Sequence, residues 1–547
     1  MAVAHTEARK RAHWLLDLTV GGTVYRFSDL PLTVDDDRGA TWTYQEGLPD
    51  LAPPLTRDGA AEITIGLELQ STVDWALLES RGLPIDRSPV VLRRWWEGTT
   101  LERSRVYLRG LALGISYGKA GEPLSVTLTQ DPRLESDVIP DAQAVVDEET
   151  WSGRTDRSEG HPYPIPIGYP GATAATVVVP RPGVPAPLIN WISAADPTNK
   201  LLLCLGRCHA ETSGVSAAGV WIWNRTKGWG LNGANIGTTT DALGRLVTYV
   251  EFSGARTDMD SDDEYWVGYD VDYGGGILSP WDSTVPLRGA GDVIAWALLF
   301  HSSIKTDRGR LWSLRPWLNQ FQVDTYINGP VNVWDWITST FLRWLPVQVR
   351  QSNEGLYFLP VRWDYTAQDV EATLDAGAAT IDRVSSLARL AQPIYNEVTV
   401  RYRPASGGGS KWGAAYTITS TDGELTDVDA DATADTRVRG SYVARRSQHR
   451  FGVRRTRVDL PHIHDPATAE RIAQLMLARH AWPKRTVRYH APREYEVLEP
   501  GIAVSVTDSD IHLSSALAYL VDLVPTAHGV HLDLVLLDQP AHESHTT

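Results

Sequence analysis

The clearest change of hydrophobic period lies between residues 465 and 508. Asp465 followed by Pro466 is typical of a helix N-terminus, because aspartate can cap the first turn and proline at the first helical position loses no hydrogen bond. Apolar residues then recur at helical spacing, and Trp482-Pro483 ends the predicted helix. The helical stripe consists of Ile472, Leu475 and Met476, with Arg479 at its edge.

The period changes to two after this helix. Val487 and Tyr489 alternate with polar residues, which predicts a strand over 486–490 with two different faces. A Pro500-Gly501 turn then opens a second strand, whose apolar side consists of Ile502, Val504 and Val506. The predicted local order is therefore helix, strand, turn, strand.

That order and the phrase LEPGIAVSVTD at 498–508 resemble the last domain of phage tail hub proteins. These are the central hub proteins of the tail tip or baseplate of long-tailed phages and gene transfer agents. The resemblance implies that the Pro-Gly turn closes a small β-barrel, which the strands at 518–523 and 530–537 complete.

The N-terminal region has a mostly β pattern. A Gly21-Gly22 turn predicts a hairpin, and a short helix over 72–81 ends at Gly82. The predicted strands cover 14–20, 23–27, 61–69, 90–96, 106–117 and 124–129. Short strands with one helix predict a split β-barrel. WWEG at 95–98, followed by LRGLALGISYG at 108–118, is similar in arrangement to the first domain of tail hub proteins, which stacks on the tail tube.

Proline, tryptophan and glycine mark the next two segments. HPYPIPIGYPG at 161–171 predicts a rigid crossing strand, with a polyproline ligand as the alternative. The segment 188–287 is predicted to be a β domain with strands at 200–208, 219–224, 248–252 and 265–269. Its indoles fit either a sugar-stacking platform or the domain core, and we favour the core. They are Trp221, Trp223, Trp229 and Trp266.

Two helices and a hairpin are predicted in 288–364. Asp292 is predicted to cap an apolar helix over 293–304, and Asn332 to cap a second one. The second helix has an inward stripe of Trp334, Ile337, Phe341 and Leu345, and strands at 347–350 and 356–363 follow it. This order again resembles the tail hub family.

Alternating Val398, Val400 and Tyr402 predict a strand before a polar lobe. The lobe is acidic over 422–435 and basic over 437–457, which favours a solvated surface, with docking of a partner as the alternative.

These patterns predict that the chain is divided into seven segments. They are an arm (1–13), a tube-like split β-barrel (14–131), a proline-rich crossing segment (132–187), a Trp- and Gly-rich β domain (188–287), an α+β domain (288–364), a second β region with the polar lobe (365–460) and a C-terminal helix plus β-barrel (461–547).

Composition limits the function classes. With 547 residues, 42% hydrophobic and 22% charged, the chain is an ordinary multidomain globular protein. Its formal charge of -16 argues against a dedicated nucleic-acid binder, but not against a conduit through which DNA passes without binding. Since no long apolar run occurs, we expect no membrane span and no signal peptide.

The candidate chemical sites are weak. Cys204, Cys208 and His209 suggest a metal or haem site, but buried thiols fit the spacing better, because residues four apart on a strand lie roughly 13 Å from each other. His462 and His464 could supply two metal ligands, although Asp465 is better used as the helix cap and no third ligand is evident.

Two acidic runs, TDMDSDDEYW at 257–266 and TDVDADATAD at 426–435, open like calcium loops. In the first run, Asp263 stands where such a loop needs glycine and Tyr269 where it needs glutamate, so we favour exposed acidic loops. The chain also lacks the common nucleophile, phosphate-binding and dinucleotide motifs. We therefore expect no catalytic residue, no cofactor site, no metal site and no enzyme activity.

The predicted fold is mainly β with a few packed helices: a β-rich α+β, multidomain chain whose small β-barrels form a ring with inserted domains. The resemblance implies a tail hub at the distal end of the phage tail in the virion. It implies a homotrimer that contacts the tail tube or distal tail protein and the tip, fibre or tape measure proteins, around a channel for the tape measure and DNA. The alternative is a carbohydrate-binding, receptor-binding or cell-wall-degrading tail protein.

Overall fold

The computed structural model describes residues 11–48, 63–70, 73–117, 123–130, 137–171, 183–194, 196, 198–212, 220–231, 234–252, 256, 258–269, 274–352, 354–362, 365–376, 381–390, 392–404, 412–418, 437–438, 442–526 and 529–537. This part of the chain is mainly β, with short helices packed between several sheets, which confirms the predicted fold class.

The N-terminal region is one sheet with a short helix. Its elements are β1 (Ala12–Val20), β2 (Thr23–Ser28), β3 (Leu32–Asp35), β4 (Thr41–Glu46), β5 (Ile63–Leu69), α1 (Trp75–Ser80), β6 (Pro89–Trp96), β7 (Arg105–Tyr117) and β8 (Leu124–Gln130). The strand order is β3-β4-β2-β1-β6-β7-β8-β5. Trp14, Leu92 and Leu108 pack with Trp75 of α1 into a core that this region builds by itself.

The predicted Gly-Gly hairpin is confirmed, since Val20 pairs with Thr23 across two glycines of positive φ. Strands β3 and β4 were not predicted. They cover the other face of the sheet, where Val34 and Tyr44 pack on Leu15.

The next region contains a pair of four-stranded sheets, a short helix and two short strands that pair outside these sheets. Its elements are β9 (Val138–Ile139), β10 (Ile165–Ile167), β11 (Val184–Pro185), β12 (Leu188–Asn190), β13 (Lys200–Leu205), α2 (His209–Thr212), β14 (Trp221–Asn224), β15 (Trp229–Leu231), β16 (Ala234–Thr240), β17 (Leu246–Phe252) and β18 (Tyr265–Gly268). The sheets β11-β18-β14-β15 and β12-β13-β17-β16 share one apolar core, to which Ile222 and Val267 of the first and Leu201 and Val250 of the second belong. Strands β15 and β16 were not predicted.

The helices that follow pack against the apolar core shared by these two sheets. The elements are β19 (Leu278–Ser279), β20 (Asp282–Pro286), α3 (Ala290–Phe300), α4 (Arg308–Leu318), β21 (Thr325–Ile327), β22 (Val331–Asn332), α5 (Val333–Ile337), a π-helical turn (Thr338–Leu342), β23 (Val347–Ser352) and β24 (Gly355–Pro360). The Asn332 cap is confirmed, because its side chain accepts the backbone N–H of Asp335 at 3.1 Å. The hairpin of β23 and β24 is confirmed as well.

The predicted Asp292 cap is wrong. Helix α3 begins earlier, at Ala290, and Asp292 lies in its first turn. Asn319, at the end of α4, accepts the backbone N–H of Asp292 at 2.9 Å and donates to its carboxylate at 2.8 Å. A distant side chain therefore satisfies the helix terminus, and α4 itself was not predicted.

The C-terminal part contains two sheets. Its elements are β25 (Val370–Asp375), β26 (Asp382–Arg383), β27 (Ala388–Arg389), β28 (Glu397–Pro404), β29 (Trp412–Ile418), β30 (Arg437–Val438), α6 (Tyr442–Phe451), β31 (Arg455–Leu460), α7 (Pro466–His480), β32 (Arg485–Ala491), β33 (Ala503–Asp508), β34 (Leu513–Pro525) and β35 (Val530–Leu536). One sheet has the order β25-β33-β34-β35-β32-β26, with β27 also on β32, and the other has the order β30-β29-β28-β31.

The larger of these sheets encloses its own core, which includes Val487, Val504 and Leu532. Helix α7 packs on the smaller sheet, where Ile472 joins a core with Val400. Asp465 caps α7 as predicted, and the strands on both sides of the Pro-Gly turn are confirmed. Strands β25 to β27 lie in the predicted segment 365–460, but they pair with strands that follow residue 480. The division of the chain into seven segments remains a proposal.

Candidate functional site

The predicted thiol and histidine group is part of the packing around α2. Cys204 and Cys208 are fully buried, and the Cys208 thiol lies 3.2 Å from the carbonyl oxygen of Gly275. His209 Nδ1 accepts the backbone N–H of the same Gly275 at 3.0 Å. The contacts of Cys208 and His209 fasten the start of α2 to the loop ahead of β19, while the Cys204 thiol lies 3.6 Å from the carbonyl oxygen of Gly206.

The first acidic run is held by contacts within the domain. The Asp263 carboxylate accepts a hydrogen bond from Asn224 Nδ2 at 2.8 Å and lies 2.9 Å from Lys227 Nζ. Asp258 lies 3.2 Å from the guanidinium of Arg256. The Lys227 ammonium therefore already supplies the positive charge that a bound cation would bring to Asp263. The second run, 426–435, lies outside the described residues.

The two histidines before α7 also have structural contacts. Burial lowers the pKa of His462 to about 4, so its imidazole is neutral, and its Nδ1 lies 2.8 Å from Thr325 Oγ1. The carbonyl oxygen of His464 accepts from Arg403 Nε at 2.6 Å. Within the described residues, no group of three His, Cys, Asp or Glu side chains could hold a metal ion.

The tryptophans of the β domain are not placed as expected. Ile222 points into the shared core, so Trp221 and Trp223, its neighbours on β14, lie on the opposite face and are partly exposed. Trp266 on β18 pairs with Trp223 and shares that outer face. The preferred core interpretation is therefore wrong for these three residues, because the W-I-W alternation of a strand directs only the isoleucine inward. The side chain of Trp229 lies outside the described part.

A contact between residues far apart in the sequence joins the N-terminal sheet to the C-terminal sheet. Arg105 of β7 donates from Nη1 to the carbonyl oxygen of Glu496 at 2.9 Å and lies 3.4 Å from that of Leu498. Its guanidinium also lies 5.2 Å from the ring centroid of Tyr107. We name residues 493–499, which receive this arginine, the junction segment. Within it, Arg493–Val497 forms a 3₁₀ helix.

A buried carboxylate lies at the centre of the junction segment. The Glu496 side chain is 1% exposed, and the nearest guanidinium nitrogen of Arg94 is 3.8 Å away. Burial raises the pKa of Glu496, although Arg94 and Arg105 attract its charged form. Burial likewise lowers the pKa of Arg94, whose guanidinium lies 4.9 Å from the ring centroid of Trp14. The contact is thus buried, and burial opposes the charged form of both side chains.

The junction segment also reaches helix α4. Arg310 forms a bidentate ion pair with Glu499, and its guanidinium lies 4.2 Å from the ring centroid of Tyr357 on β24. The side chain of Tyr365 donates to the carbonyl oxygen of Gly501 at 2.6 Å. Residues 493–499 also lie between β32 and β33 in the sequence, so the segment connects the N-terminal sheet, the helical region and the C-terminal sheet.

Sequence reasoning missed these residues. Glu499 belongs to the LEPG phrase, but its partner Arg310 is 189 positions away, and Arg105 is 391 positions from Glu496. No local pattern signals such pairs. Arg310 even has an acidic partner at helical spacing, since Asp307 lies 3.4 Å from its Nε, so nothing nearby in the sequence points to Glu499.

Helices in the described part of the chain are all too short or too polar to cross a membrane.

Comparison with known proteins gives one family match, which lies in the C-terminal part of the chain. A family model described as putative phage tail protein matches residues 430–521. No curated protein matches the chain.

Several solved structures also match. The tail protein from Neisseria meningitidis MC58 has 10% identity and a TM-score of 0.34, with 96% of this chain and 96% of that chain covered. The 43 kDa tail protein of prophage MuSo2 from Shewanella oneidensis has 9% identity and a TM-score of 0.31, with 95% and 98% covered. A chain from the virion of a native gene transfer agent particle has 13% identity and a TM-score of 0.36, with 75% and 93% covered.

The family match is limited to residues 430–521, which span α6, α7 and the strands up to the middle of β34. This match supports a phage tail protein.

Proposed function

We propose that the chain is a structural protein of the phage tail and, within the tail, the hub that joins the tail tube to the tip. The family match over 430–521 supports the tail assignment. The hub role is a more specific proposal than a role in the tail, and it rests on the two large sheets at the N-terminal and C-terminal ends of the fold.

The observation that carries the hub proposal is that the chain contains two large sheets, each with an apolar core of its own. The N-terminal sheet has eight strands, and the larger C-terminal sheet has seven. The resemblance of the sequence to hub proteins implies two similar β-barrels per chain, so that three chains imitate the sixfold symmetry of the tail tube. These two sheets are the candidates for the two barrels.

A ring of this kind requires a fixed distance between the two sheets. The junction segment supports this requirement, because Arg105 and Arg310 bind it from the N-terminal sheet and from α4. Closed rotational symmetry then lets identical chains bury matching surfaces without growing into fibres.

The charge of the chain fits a channel. A formal charge of -16 in each chain favours a lining that repels phosphates, so that DNA passes without binding. The tape measure protein is proposed to occupy the same channel. The proposed location is the distal end of the tail in the virion. The proposed partners are the tail tube or distal tail protein on one side and tip, fibre or tape measure proteins on the other.

Native mass spectrometry tests the proposal. We expect three times the 60.4 kDa chain mass, either for the purified chain or after a tube or tip partner is added. A monomer in both states, or a tail reconstruction that places the chain away from the central axis, would rule out the hub. Release of sugars or peptides from host cell wall by the purified chain would contradict a structural role and favour the alternative of a degrading tail protein.

A further inference from the structure

The two sheets of the β domain differ on their outer faces. In the sheet β12-β13-β17-β16, the outward side chains Leu202 and Val247 are covered by Val146 and Tyr163 of the preceding segment. In the sheet β11-β18-β14-β15, the outward side chains on the central strands are Trp221, Trp223 and Trp266, and each remains partly exposed. We name these three residues the indole face.

The indoles of this face are ordered by the sheet. Trp221 and Trp223 lie nearly parallel, with ring centroids 5.1 Å apart and planes 19° apart. Trp223 pairs with Trp266 on one neighbouring strand and with Gly230 on the other, while Trp221 pairs with Gly268. A Cβ at Gly230 would lie 3.6 Å from Trp221 Nε1, so glycine leaves this edge of the indole free of a side chain at that position. At Gly268 the carbonyl oxygen of Gly171 lies 3.0 Å from the place that a Cβ would take, so Gly171 borders the indole face beside Trp221.

Fixed polar groups border the indole face. Glu264 Oε1 accepts hydrogen bonds from Trp266 Nε1 and from Arg225 Nη1, both at 2.7 Å. The Arg225 guanidinium also lies 4.6 Å from the ring centroid of Trp266, and Arg157 reaches the same glutamate at 3.5 Å. Arg225 is 55% exposed and Arg157 is 48% exposed. Hydrogen-bonding groups are thus held in place and remain accessible beside the rings.

We propose that the indole face binds a carbohydrate chain. The apolar C–H surface of a sugar ring packs on an indole, while its hydroxyl groups need donors and acceptors at the edge of the ring, and this face supplies both. The polar groups need little reorganisation, because Glu264 already orients Arg225 and the Trp266 indole.

The charges argue against the other polymers that stack on aromatic rings. Single-stranded nucleic acid needs a positively charged groove, but both arginines here are paired with Glu264. A protein partner packed on this face would have to desolvate these exposed charges, whereas the hydroxyl groups of a glycan can hydrogen-bond to them. This binding function is additional to the hub and does not depend on it.

The test uses the full-length chain and an array of bacterial surface polysaccharides, with dextran and laminarin measured in solution by calorimetry. We expect binding to at least one of these glycans. The double variant Trp221→Ala, Trp223→Ala should lower the affinity about tenfold or more, because it removes two of the three rings on which the sugar packs. Trp312→Ala is the matched control, because Trp312 is an exposed tryptophan on α4, outside the indole face, and should leave binding unchanged.

Native mass and circular dichroism of each variant show whether assembly and folding persist, which separates loss of the glycan site from loss of the hub. The proposal is overturned if the wild type binds none of the glycans, or if the double variant binds as well as the wild type. It is also overturned if the face instead retains single-stranded DNA or another tail protein in a Trp221- and Trp223-dependent manner.

Discussion

Arg310 and Glu499 form a bidentate ion pair, with Nη1 2.7 Å from Oε2 and Nη2 2.8 Å from Oε1. The pair joins α4 to the junction segment across 189 positions of sequence. The hydrogen bond to Glu499 raises the pKa of Arg310, so the guanidinium stays charged. The two side chains are 40% and 36% exposed, and solvent therefore weakens their attraction.

We predict that a double-mutant cycle with Arg310→Ala and Glu499→Ala gives a coupling of about 0.5 to 1 kcal/mol in the free energy of unfolding. Chemical denaturation of the four proteins measures it. The matched control is the pair of Arg455 and Glu397, which has a single short contact and an arginine that is 76% exposed. A coupling no larger than that of the control pair would mean that the bidentate geometry adds nothing.

Local signals in the sequence were sufficient to predict those elements whose ends are fixed by contacts between residues close together in the chain. Asp465 and Pro466 predict the start of α7 because the cap contact, Asp465 to the N–H of Thr468, spans only three residues. The same holds for the Gly21-Gly22 hairpin. Elements that depend on distant partners were missed or misplaced. Helix α3 begins at Ala290 because Asn319 from another helix caps it, and no pattern near Asp292 encodes this.

The junction was beyond sequence reasoning for the same reason. Arg105 and Glu496 look like ordinary strand and loop charges, and only the fold brings them into a buried contact. The indole face is the opposite case, since W-I-W at 221–223 already encodes two faces, and the error was to assign the larger side chains to the inner one.

Gly501 provides a test of the Pro-Gly turn. Its φ is +101°, a conformation that residues with a Cβ rarely adopt, and a Cβ there would lie 3.4 Å from Leu359 Cδ1. We expect Gly501→Val to lower the free energy of unfolding by about 1 kcal/mol or more, which thermal melting detects as a lower midpoint. Gly309→Ala is the control, because Gly309 lies in α4 with no positive φ, and alanine there should be neutral or stabilising by about 0.5 to 1 kcal/mol. Equal midpoints for Gly501→Val and the wild type would contradict the strained turn.

The last prediction concerns pH and His13, which lies in β1 with a fully buried side chain. Its Nδ1 is 3.0 Å from Asp29 Oδ1, and its Nε2 is 3.0 Å from Glu97 Oε1. Burial lowers the pKa of His13, but the hydrogen bonds and charges of the two carboxylates outweigh it, so the pKa lies above the ordinary value of 6.5. The folded chain therefore holds this proton more tightly than the unfolded chain does.

The resulting stabilisation is complete below about pH 6.5 and is lost as the pH rises through the raised pKa of the folded state. His13→Gln removes the titrating group, so the stability advantage of the wild type over this variant should shrink as the pH rises from about 6 to 9, as measured by thermal melting. His161→Gln is the control, because that side chain is exposed and its difference from the wild type should not follow the same course. An advantage of the wild type over His13→Gln that stays constant or grows with pH would show that His13 is not held as an imidazolium between Asp29 and Glu97.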